Sequence, residues 1–423
     1  MIFSRLRHAP LSVRPARAPL LAATILAATL SCHQGARAAD ELSMAVGKPL
    51  QQAQTALAAR DYTKAMAGVN AADAVAKKTD YESYTIAQMR AAVAAQSGDT
   101  ASAIKAYDVL IASPRTPAAN KPQMLQAEIS MAYSAKNYPQ VVTLAQQYLK
   151  KYPDTTGNVG TTLVQAYYLQ NDYANAAKAQ QAQIDAEAKA GKKPTENQLQ
   201  FLATCYTRLK DSSNETHAFV QLVQYYPKPE YWANLIHGLM VNPKIPPQLQ
   251  FDIERIRLAT GVLRNPSDYM DMTERAVQAG LPQLALKLMN QGYANGALGH
   301  DAGADREARL HAMVIQRANA DHAKLDANAE AAKKDPGAGP LLTAGYDMVL
   351  NGQVDEGLAL MREGMTRHPL HPEIAQLDYG LAQMDGGRTA DAIKTLQAVT
   401  GDNGPRDIAA MWALLLQHPP AAH

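Results

Sequence analysis

The sequence predicts an all-α protein built as an α-solenoid, an array of stacked helix pairs. Apolar residues make up 47% of the 423 residues but aromatic residues only 6%, and alanine supplies much of the difference. Apolar residues recur at helical spacing, and no stretch alternates with the period of two that a half-buried strand requires. A turn signature also returns at nearly constant intervals, which is typical of a repeat architecture.

The turn signature is a residue pair such as Asp61-Tyr62 or Asp172-Tyr173, followed within a few positions by a small residue that opens a new helix. In the first half of the chain these small residues are spaced 38, 38 and 35 residues apart, at Ala65, Ala103, Val141 and Ala176. The signature returns at Gly280-Leu281, Gly352-Gln353 and Gly387-Arg388. This period predicts paired helices whose product is a long surface rather than a pocket.

Residues 1–38 are predicted to be a signal peptide. A basic lead precedes an apolar run at residues 20–30, and Ala36-Arg37-Ala38 fits a cleavage site. The apolar run is too short to span a bilayer, so we expect an exported, periplasmic protein of a Gram-negative bacterium with no membrane-spanning helix. The alternative is cleavage before Cys32 and lipidation, which would give an outer-membrane-anchored lipoprotein for polysaccharide export or envelope assembly.

The first repeats are expected to form an N-terminal superhelix over residues 39–230. Within it, Leu199, Leu202, Ala203 and Tyr206 follow the spacing of one helix face. Residues 231–267 are predicted to be an irregular joint, because a proline inside a helix removes a hydrogen bond and Pro243, Pro246 and Pro247 interrupt this segment.

A C-terminal superhelix is expected over residues 268–417. Its last segment, 408–416, is predicted to be a capping helix, since a terminal repeat must cover the last exposed apolar face. Residues 418–423 are predicted to be a disordered tail.

In these patterns the chain resembles the tetratricopeptide repeat (TPR) superfamily. Its characteristic small, aromatic and closing proline positions are matched in the fifth unit by Ala203, Tyr206, Phe219 and Pro227. The ninth unit matches them with Gly345, Gly357, Met361 and Pro369. The resemblance implies a right-handed superhelix of about ten helix-turn-helix units.

In that family the first helix of each unit lines a concave groove that binds partners. Transferred to this chain, the register predicts a neutral, polar and partly aromatic lining, which suits an extended peptide or a glycan. The lysine and arginine clamp with which some relatives hold a C-terminal carboxylate is missing. The predicted groove residues are Gln123, Gln126, Ser130 and Tyr133, then Asn158, Thr161, Gln165 and Tyr168, then Asn197, Gln200, Thr204, Thr207 and Arg208.

The same register gives an apolar stripe in the last two units. An exposed apolar patch of this size is rare on soluble monomers. The stripe is therefore expected either to be covered by the capping segment or to be an interface for a partner helix or a second subunit, which would make the protein a homo-oligomer. Its residues are Leu342, Tyr346, Val349, Ile374, Leu377, Leu381 and Met384.

Charge and motifs exclude several other classes. The net charge of +2 argues against nucleic-acid binding, which needs a concentrated basic face. Paired lysines such as Lys150-Lys151 are expected to complement helix dipoles or, alternatively, to form a patch for an anionic partner. No phosphate loop, nucleophile elbow or zinc-protease motif is present in the sequence, so we expect no cofactor and no catalysis.

Individual residues that could carry chemistry receive simpler interpretations. Asp252 and Glu254 are expected on a solvated face or at a helix start, and Cys205 as a buried, inert thiol. His368 and His371 fall in a turn, so no metal site is expected. A glycan-binding or hydrolytic helical-repeat enzyme stays as the alternative from another class.

The expected function is a non-enzymatic scaffold that binds envelope proteins or peptides. Tyr231-Trp232 and the later segment 279–285 resemble accessory TPR proteins associated with TonB-type energy-transducing systems. That resemblance implies a place in an envelope complex linked to such a system.

Overall fold

The computed structural model describes residues 41–154, 157–243, 245–401 and 404–420. These residues form 21 α-helices, two short 3-10 turns and no β-strand. The all-α class predicted from the sequence is confirmed. The predicted signal peptide and Cys32 lie outside the described residues, as do residues 421–423 of the predicted tail.

The chain separates into two compact units, with the boundary after Ala190. Unit 1 contains eight helices in its described part. They are α1 (Met44–Ala58), α2 (Tyr62–Asp73), α3 (Asp80–Ser97), α4 (Thr100–Ala112), α5 (Lys121–Ser134), α6 (Tyr138–Lys151), α7 (Asn158–Leu169) and α8 (Tyr173–Lys189).

Unit 2 begins at Gly191 and contains thirteen helices in its described part. They are α9 (Glu196–Leu209), α10 (Ser212–Tyr225), α11 (Pro229–Met240), α12 (Gln250–Ala259), α13 (Pro266–Gln278), α14 (Pro282–Ala294), α15 (Ala304–His322), α16 (Leu325–Lys334), α17 (Ala338–Leu350), α18 (Val354–Thr366), α19 (Pro372–Asp385), α20 (Thr389–Gln397) and α21 (Pro405–Gln417).

Each recurrent turn combines a residue that ends one helix with a side chain that caps the next helix. A residue with positive φ ends the first helix of a pair, as at Lys136, where φ is 57°. The next residue then caps the second helix: Asp61 accepts a hydrogen bond from the Lys64 amide at 3.1 Å, and Asp172 one from the Asn175 amide at 3.2 Å. A cap of this kind contributes about 1 kcal/mol to helix stability.

The small residues that follow the turns lie where two helices cross. Ala65, Ala103, Val141 and Ala176 are all fully buried. Around Val141, the core of the α5–α6 pair gathers side chains such as Leu125, Ile129 and Leu144. Close packing of consecutive antiparallel helices, α1 on α2 through α7 on α8, therefore accounts for the repeat seen in the sequence.

The boundary between the units differs from the predicted position at residue 230. Helices α9 and α10 pack on each other, and α10 packs on α11, so the fifth helix pair belongs to unit 2. The predicted joint, 231–267, consists largely of α11 and α12. Its prolines lie outside these α-helices, Pro243 and Pro246 in the connecting loop and Pro247 in a 3-10 turn. Proline restricts only the loop, and apolar side chains such as Trp232 and Ile256 hold the flanking helices in the core.

In unit 2 the early helix α12 meets the last helix, α21. Ile245, just before α12, lies against Gly404 at the start of α21, and the Asn242 amide group donates a hydrogen bond to Asp407 at 3.4 Å. Helix α21 also packs on α19 and α20, and it spans the segment 408–416 in which a capping helix is expected. Helices that are far apart in the sequence of unit 2 therefore lie against each other.

Candidate functional site

Four of the predicted groove residues lie along one side of α5. Gln123 and Ser130 are exposed, and Gln126 and Tyr133 are half-buried. Spacings of three and four residues place all four on one helix face. The amide of Gln126 donates a hydrogen bond to the Tyr148 hydroxyl on α6 at 2.7 Å, which orients it on the surface.

Helix α7 carries four further residues of the predicted groove at the same register. Asn158 and Thr161 are exposed, and Gln165 and Tyr168 are half-buried. The amide of Gln183 on α8 donates to the Thr161 hydroxyl at 3.3 Å. Because α7 packs on α5 as well as on its sequence neighbours, the structure brings the two sets of four residues together in unit 1. We call these eight residues the α5–α7 polar face.

Two tyrosine pairs mark the turn end of this face. The rings of Tyr133 and Tyr138 meet edge to face with centroids 5.8 Å apart, and those of Tyr168 and Tyr173 do so at 5.3 Å. Burial raises the pKa of Tyr133, so its hydroxyl keeps its proton over a wide pH range. The sequence interpretation did not assign Tyr138 or Tyr173 to the site, although the turn signature contains both.

The third predicted set lies on α9, in unit 2. Asn197, Gln200, Thr204, Thr207 and Arg208 are all exposed. They do not all serve one surface: the Gln200 amide donates to the Tyr231 hydroxyl on α11 at 2.5 Å, whereas the Thr207 hydroxyl donates to Glu215 on α10 at 2.7 Å. Gln200 is therefore directed towards α11 and Thr207 towards α10, both within unit 2.

A charged group beside Gln200 was missed by the sequence interpretation. Glu196 on α9 accepts a hydrogen bond from the Tyr231 hydroxyl and forms an ion pair with Lys228 at 2.6 Å. Burial, reinforced by the Glu196 carboxylate, raises the pKa of Tyr231. The signal was hidden because Tyr231 falls where an irregular joint was predicted.

The predicted apolar stripe is buried within unit 2. Leu377, Leu381, Val349 and Tyr346 are 0%, 1%, 3% and 8% exposed, and Leu342, Ile374 and Met384 are half-buried. Packing of α19 on α17, α18 and α21 covers these side chains. The burial agrees with the alternative in which the stripe is covered, and it leaves little apolar surface for the interface that was also considered.

Next to the stripe lies an ionisable cluster that the sequence did not reveal. The Arg255 guanidinium on α12 forms an ion pair with Asp385 on α19 at 2.8 Å and donates a hydrogen bond to the Tyr346 hydroxyl on α17 at 3.1 Å. The Tyr346 hydroxyl donates to Asp385 at 2.7 Å, and Lys287 contacts the other oxygen of that carboxylate at 3.1 Å. The side chains of Arg255 and Asp385 are 6% and 4% exposed.

Burial and charge act in opposite directions within this cluster. Burial alone would raise the pKa of Asp385, but the charges of Arg255 and Lys287 outweigh it and lower that pKa. Burial raises the pKa of Asp252 to about 6 and that of Asp378 to about 7, and Arg255 only partly offsets it. Asp252 lies in the first turn of α12, which matches the expected helix start. It does not lie on a solvated face, because its side chain is only 13% exposed.

The cluster brings four titratable groups within hydrogen-bond reach of one another, as an enzyme site would. Its polar groups, however, are directed at one another. Arg255 also lies over the Trp412 ring, 5.5 Å from the ring centroid, so α21 covers it from a further side. A buried ion pair that is mutually hydrogen-bonded in this way fixes the positions of helices. The geometry therefore assigns Arg255 a structural role in unit 2.

A second buried carboxyl group lies in unit 1, beneath the α5–α7 polar face. Glu128 on α5 is fully buried, and neither oxygen has a hydrogen-bond partner among the described residues. Burial, with a contribution from the nearby charge of Asp108 on α4, raises the pKa of Glu128 to about 8. At neutral pH the group is therefore predominantly uncharged.

The remaining candidate features are the cysteine, possible metal ligands and possible membrane-spanning helices. Cys205 is buried as expected, and burial raises the pKa of its thiol to about 12, which disfavours the reactive thiolate. The described part of the chain contains no group of three or more side chains placed to hold a metal ion. Within that part, none of the helices combines the length and apolar character needed to cross a bilayer.

Fold and site together define a helical-repeat protein with an exposed polar face on neighbouring helices. No family model matches the chain, and no curated protein matches it. Its relation to the TPR superfamily therefore stays a resemblance of sequence pattern and helix pairing.

Some solved structures are similar at low levels. A TPR2AB-domain:pHSP90 complex of yeast Sti1 covers 70% of this chain and 98% of its own, with 10% identity and a TM-score of 0.24. Yeast Tom70 covers 87% and 95%, with 10% identity and a TM-score of 0.22. Naa15/Naa10 bound to HypK-THB covers 86% and 66%, with 15% identity and a TM-score of 0.26. Similarities of this size add nothing to what the helix packing itself shows.

Proposed function

We propose that the protein is a non-enzymatic scaffold that binds protein partners through the α5–α7 polar face. The observation that carries this proposal is the repetition of polar residues at one register on two adjacent helices. Each helix begins with an exposed amide group, at Gln123 or Asn158, and ends in a tyrosine pair, with one further amide and one hydroxyl side chain between them. A repeated polar surface suits contact with an extended chain.

The chemistry of the face favours a polypeptide segment. Gln123 and Asn158 supply amide groups, and Ser130 and Thr161 supply hydroxyl groups, all of them exposed. Such groups can hydrogen-bond to the backbone of an extended peptide. Tyrosine adds a large contact area at a low cost in conformational entropy, which is why it is enriched at binding surfaces.

We propose further that the scaffold acts in the periplasm, within an envelope complex that is accessory to a TonB-type energy-transducing system. The basic lead and apolar run within residues 1–38 and the segment beginning at Tyr231-Trp232 support this assignment. Mass spectrometry of the exported protein tests it: a mature start at Ala39 is expected, whereas an acylated start at Cys32 would favour the lipoprotein alternative.

Crosslinking and affinity capture of the exported protein from native membranes tests the binding role. The variant Ser130→Tyr/Thr161→Tyr adds neutral bulk at the centre of the α5–α7 polar face. We expect it to lose most of the envelope proteins that the wild type captures, because close contact with both helices is blocked.

The matched control is Gln147→Tyr/Ala182→Tyr, which adds the same bulk at exposed positions of α6 and α8. This control should keep the captured partners, and circular dichroism should show both variants folded. Equal capture by the two variants would remove the α5–α7 polar face from the proposal. If the wild type recovers no envelope protein at all, the scaffold role itself is contradicted.

A further inference from the structure

The charge of the α5–α6 helix pair is of one sign. Between Asp108 and Asp154 the only carboxyl side chain is Glu128. The helix pair itself, residues 121–151, carries four lysines: Lys121, Lys136, Lys150 and Lys151. Because Glu128 is buried and its pKa is raised to about 8, the single carboxyl side chain of the pair is predominantly uncharged at neutral pH.

A change of capping residue contributes to this charge. The second helices of the other three pairs in unit 1 begin after an aspartate, at Asp61, Asp99 and Asp172. Helix α6 begins after Asn137, whose side-chain oxygen accepts from the Gln140 amide at 3.4 Å. Asparagine and aspartate cap about equally well, so the helix is retained while one negative charge is absent.

The lysines are not neutralised by their surroundings. Among the described residues, none of the four forms an ion pair with a carboxylate. Lys136, Lys150 and Lys151 are exposed, and Lys121 donates a hydrogen bond to the carbonyl of Ser113 at 3.0 Å. Lys150 and Lys151 lie in the last turn of α6, where they complement the helix dipole. That role does not explain why acidic residues are scarce in the helix pair.

The distance between the lysines sets the distance between the negative charges that a ligand needs. Because α5 and α6 are antiparallel, Lys121 lies at the same end of the pair as Lys150 and Lys151, and Lys136 lies in the turn at the other end. The 14 residues of α5 are about 21 Å long at 1.5 Å per residue. An extended peptide covers this length with about six residues. The α5 residues of the polar face, from Gln123 to Tyr133, run between the two basic ends.

We propose that the α5–α6 pair docks an acidic polypeptide segment of a partner protein, with carboxylate side chains about six residues apart. This inference rests on the proposed scaffold function and names the chemistry of the partner. It requires side-chain carboxylates, since the groove positions lack the basic clamp that would hold a chain terminus. Complementary charge of this kind accelerates association and selects partners, and salt weakens it.

Fluorescence anisotropy with the full mature protein tests the proposal. The probe is a 12-residue Ser/Thr peptide with two glutamate pairs six residues apart, and its control carries glutamine in place of each glutamate. We expect the glutamate peptide to bind, the glutamine peptide not to bind, and the affinity to fall several-fold between 50 and 300 mM NaCl, about what screening of exposed charges produces.

A matched pair of variants locates the site. Lys136→Gln/Lys150→Gln/Lys151→Gln should weaken binding of the glutamate peptide ~10-fold or more, because the exposed lysine charges at both ends of the pair are lost. Lys105→Gln/Lys178→Gln/Lys189→Gln removes three exposed lysines from α4 and α8 and should leave the affinity unchanged. Equal loss in both variants, or equal binding of the two peptides, would overturn the proposal.

Three further outcomes decide between the acidic-segment proposal and its alternatives. Binding to phosphatidylglycerol vesicles without binding to the glutamate peptide would overturn the peptide assignment. If the lysine variant still captures the wild-type partners while Ser130→Tyr/Thr161→Tyr loses them, the acidic-segment proposal fails and the scaffold function stands. If the lysine variant and Ser130→Tyr/Thr161→Tyr both lose the same partners, while the Lys105/Lys178/Lys189 variant keeps them, both proposals are supported.

Discussion

Glu128 combines full burial with the absence of a hydrogen-bond partner, which is an unfavourable state for a carboxyl group. Its pKa in the folded protein, about 8, lies above its ordinary value of 4.5. As pH rises from about 5 to 8, the unfolded chain loses this proton while the folded protein keeps it. Glu128 therefore lowers the free energy of unfolding of unit 1 over that range, and its contribution levels off above it.

The variant Glu128→Met should stabilise unit 1 at pH 7.5 by on the order of 1–3 kcal/mol, the cost of an unsatisfied buried polar group. Hydrogen exchange of the α5 amides measures this, because it reports the opening of unit 1 alone. Glu128→Gln is the control: it keeps the polar group but removes the ionisation, so the pH dependence between 5 and 8 should become flatter. An unchanged pH dependence in Glu128→Gln would contradict the assignment.

Arg255 provides the second test at the level of single residues. Arg255→Met leaves the buried Asp385 without its closest cation and should cost unit 2 about 3–5 kcal/mol. Lys287→Met removes a side chain that is 58% exposed and should cost less than about 1 kcal/mol. Both tryptophans of the chain, Trp232 and Trp412, lie in unit 2, so tryptophan fluorescence during urea unfolding measures the effect.

A compensating variant separates the charge from the packing. Arg255→Met/Asp385→Leu replaces the ion pair with apolar side chains, and it should recover much of the stability lost in Arg255→Met. If the double variant is as unstable as the single one, the guanidinium contributes through its contacts with Tyr346 and Trp412 rather than through the charge of Asp385.

Helices α17 and α18 pack closely where Gly345 meets Gly357. A Cβ atom at Gly345 would lie 2.6 Å from the carbonyl oxygen of Gly357 and 2.9 Å from the amide nitrogen of Met361. Gly345→Ala should therefore force the two helices apart and cost about 1–3 kcal/mol. Gly339→Ala in the same helix has no atom within 4 Å of the new Cβ, and it should be neutral or slightly stabilising. Equal urea midpoints for the two variants would contradict this account.

The elements that the sequence predicts well are those specified by neighbouring residues. The caps at Asp61, Asn137 and Asp172 and the small residue four positions after each of them act within one turn of chain, so their pattern is visible in the sequence. The polar residues of α5 and α7 were predicted for the same reason, because helical register is local. Tyr138 and Tyr173 were overlooked only because they were interpreted as turn residues.

The elements that were missed depend on distant contacts. Arg255 and Asp385 are separated by 130 residues, and each alone resembles an ordinary charge on a helix surface. Helix α12 was hidden by the prolines before it, although Ile253 and Ile256 are fully buried. Burial of a charged residue is decided by which later helices pack on it, and a single sequence does not contain that information.

For the molecule as a whole, the boundary between the units gives a direct test. Residues 190–195 connect α8 to α9, and Lys192 and Lys193 are exposed there. Limited trypsin treatment should cut after Lys192, whereas the bond after Lys193 precedes Pro194 and should resist. Because each unit has its own core, both fragments should keep their helical circular dichroism and unfold cooperatively. Fragments that unfold on cleavage would contradict two independently folded units.

The meeting of α12 with α21 has a consequence for biogenesis. Residues that touch there leave the ribosome or a translocation channel at very different times, so unit 2 has a higher contact order than an open array of hairpins and should mature more slowly. Until α21 emerges, Arg255 lacks the cover of Trp412, and the nascent chain is prone to aggregation or proteolysis. A stop codon that removes only the last helix should therefore lower the steady-state abundance of the whole protein.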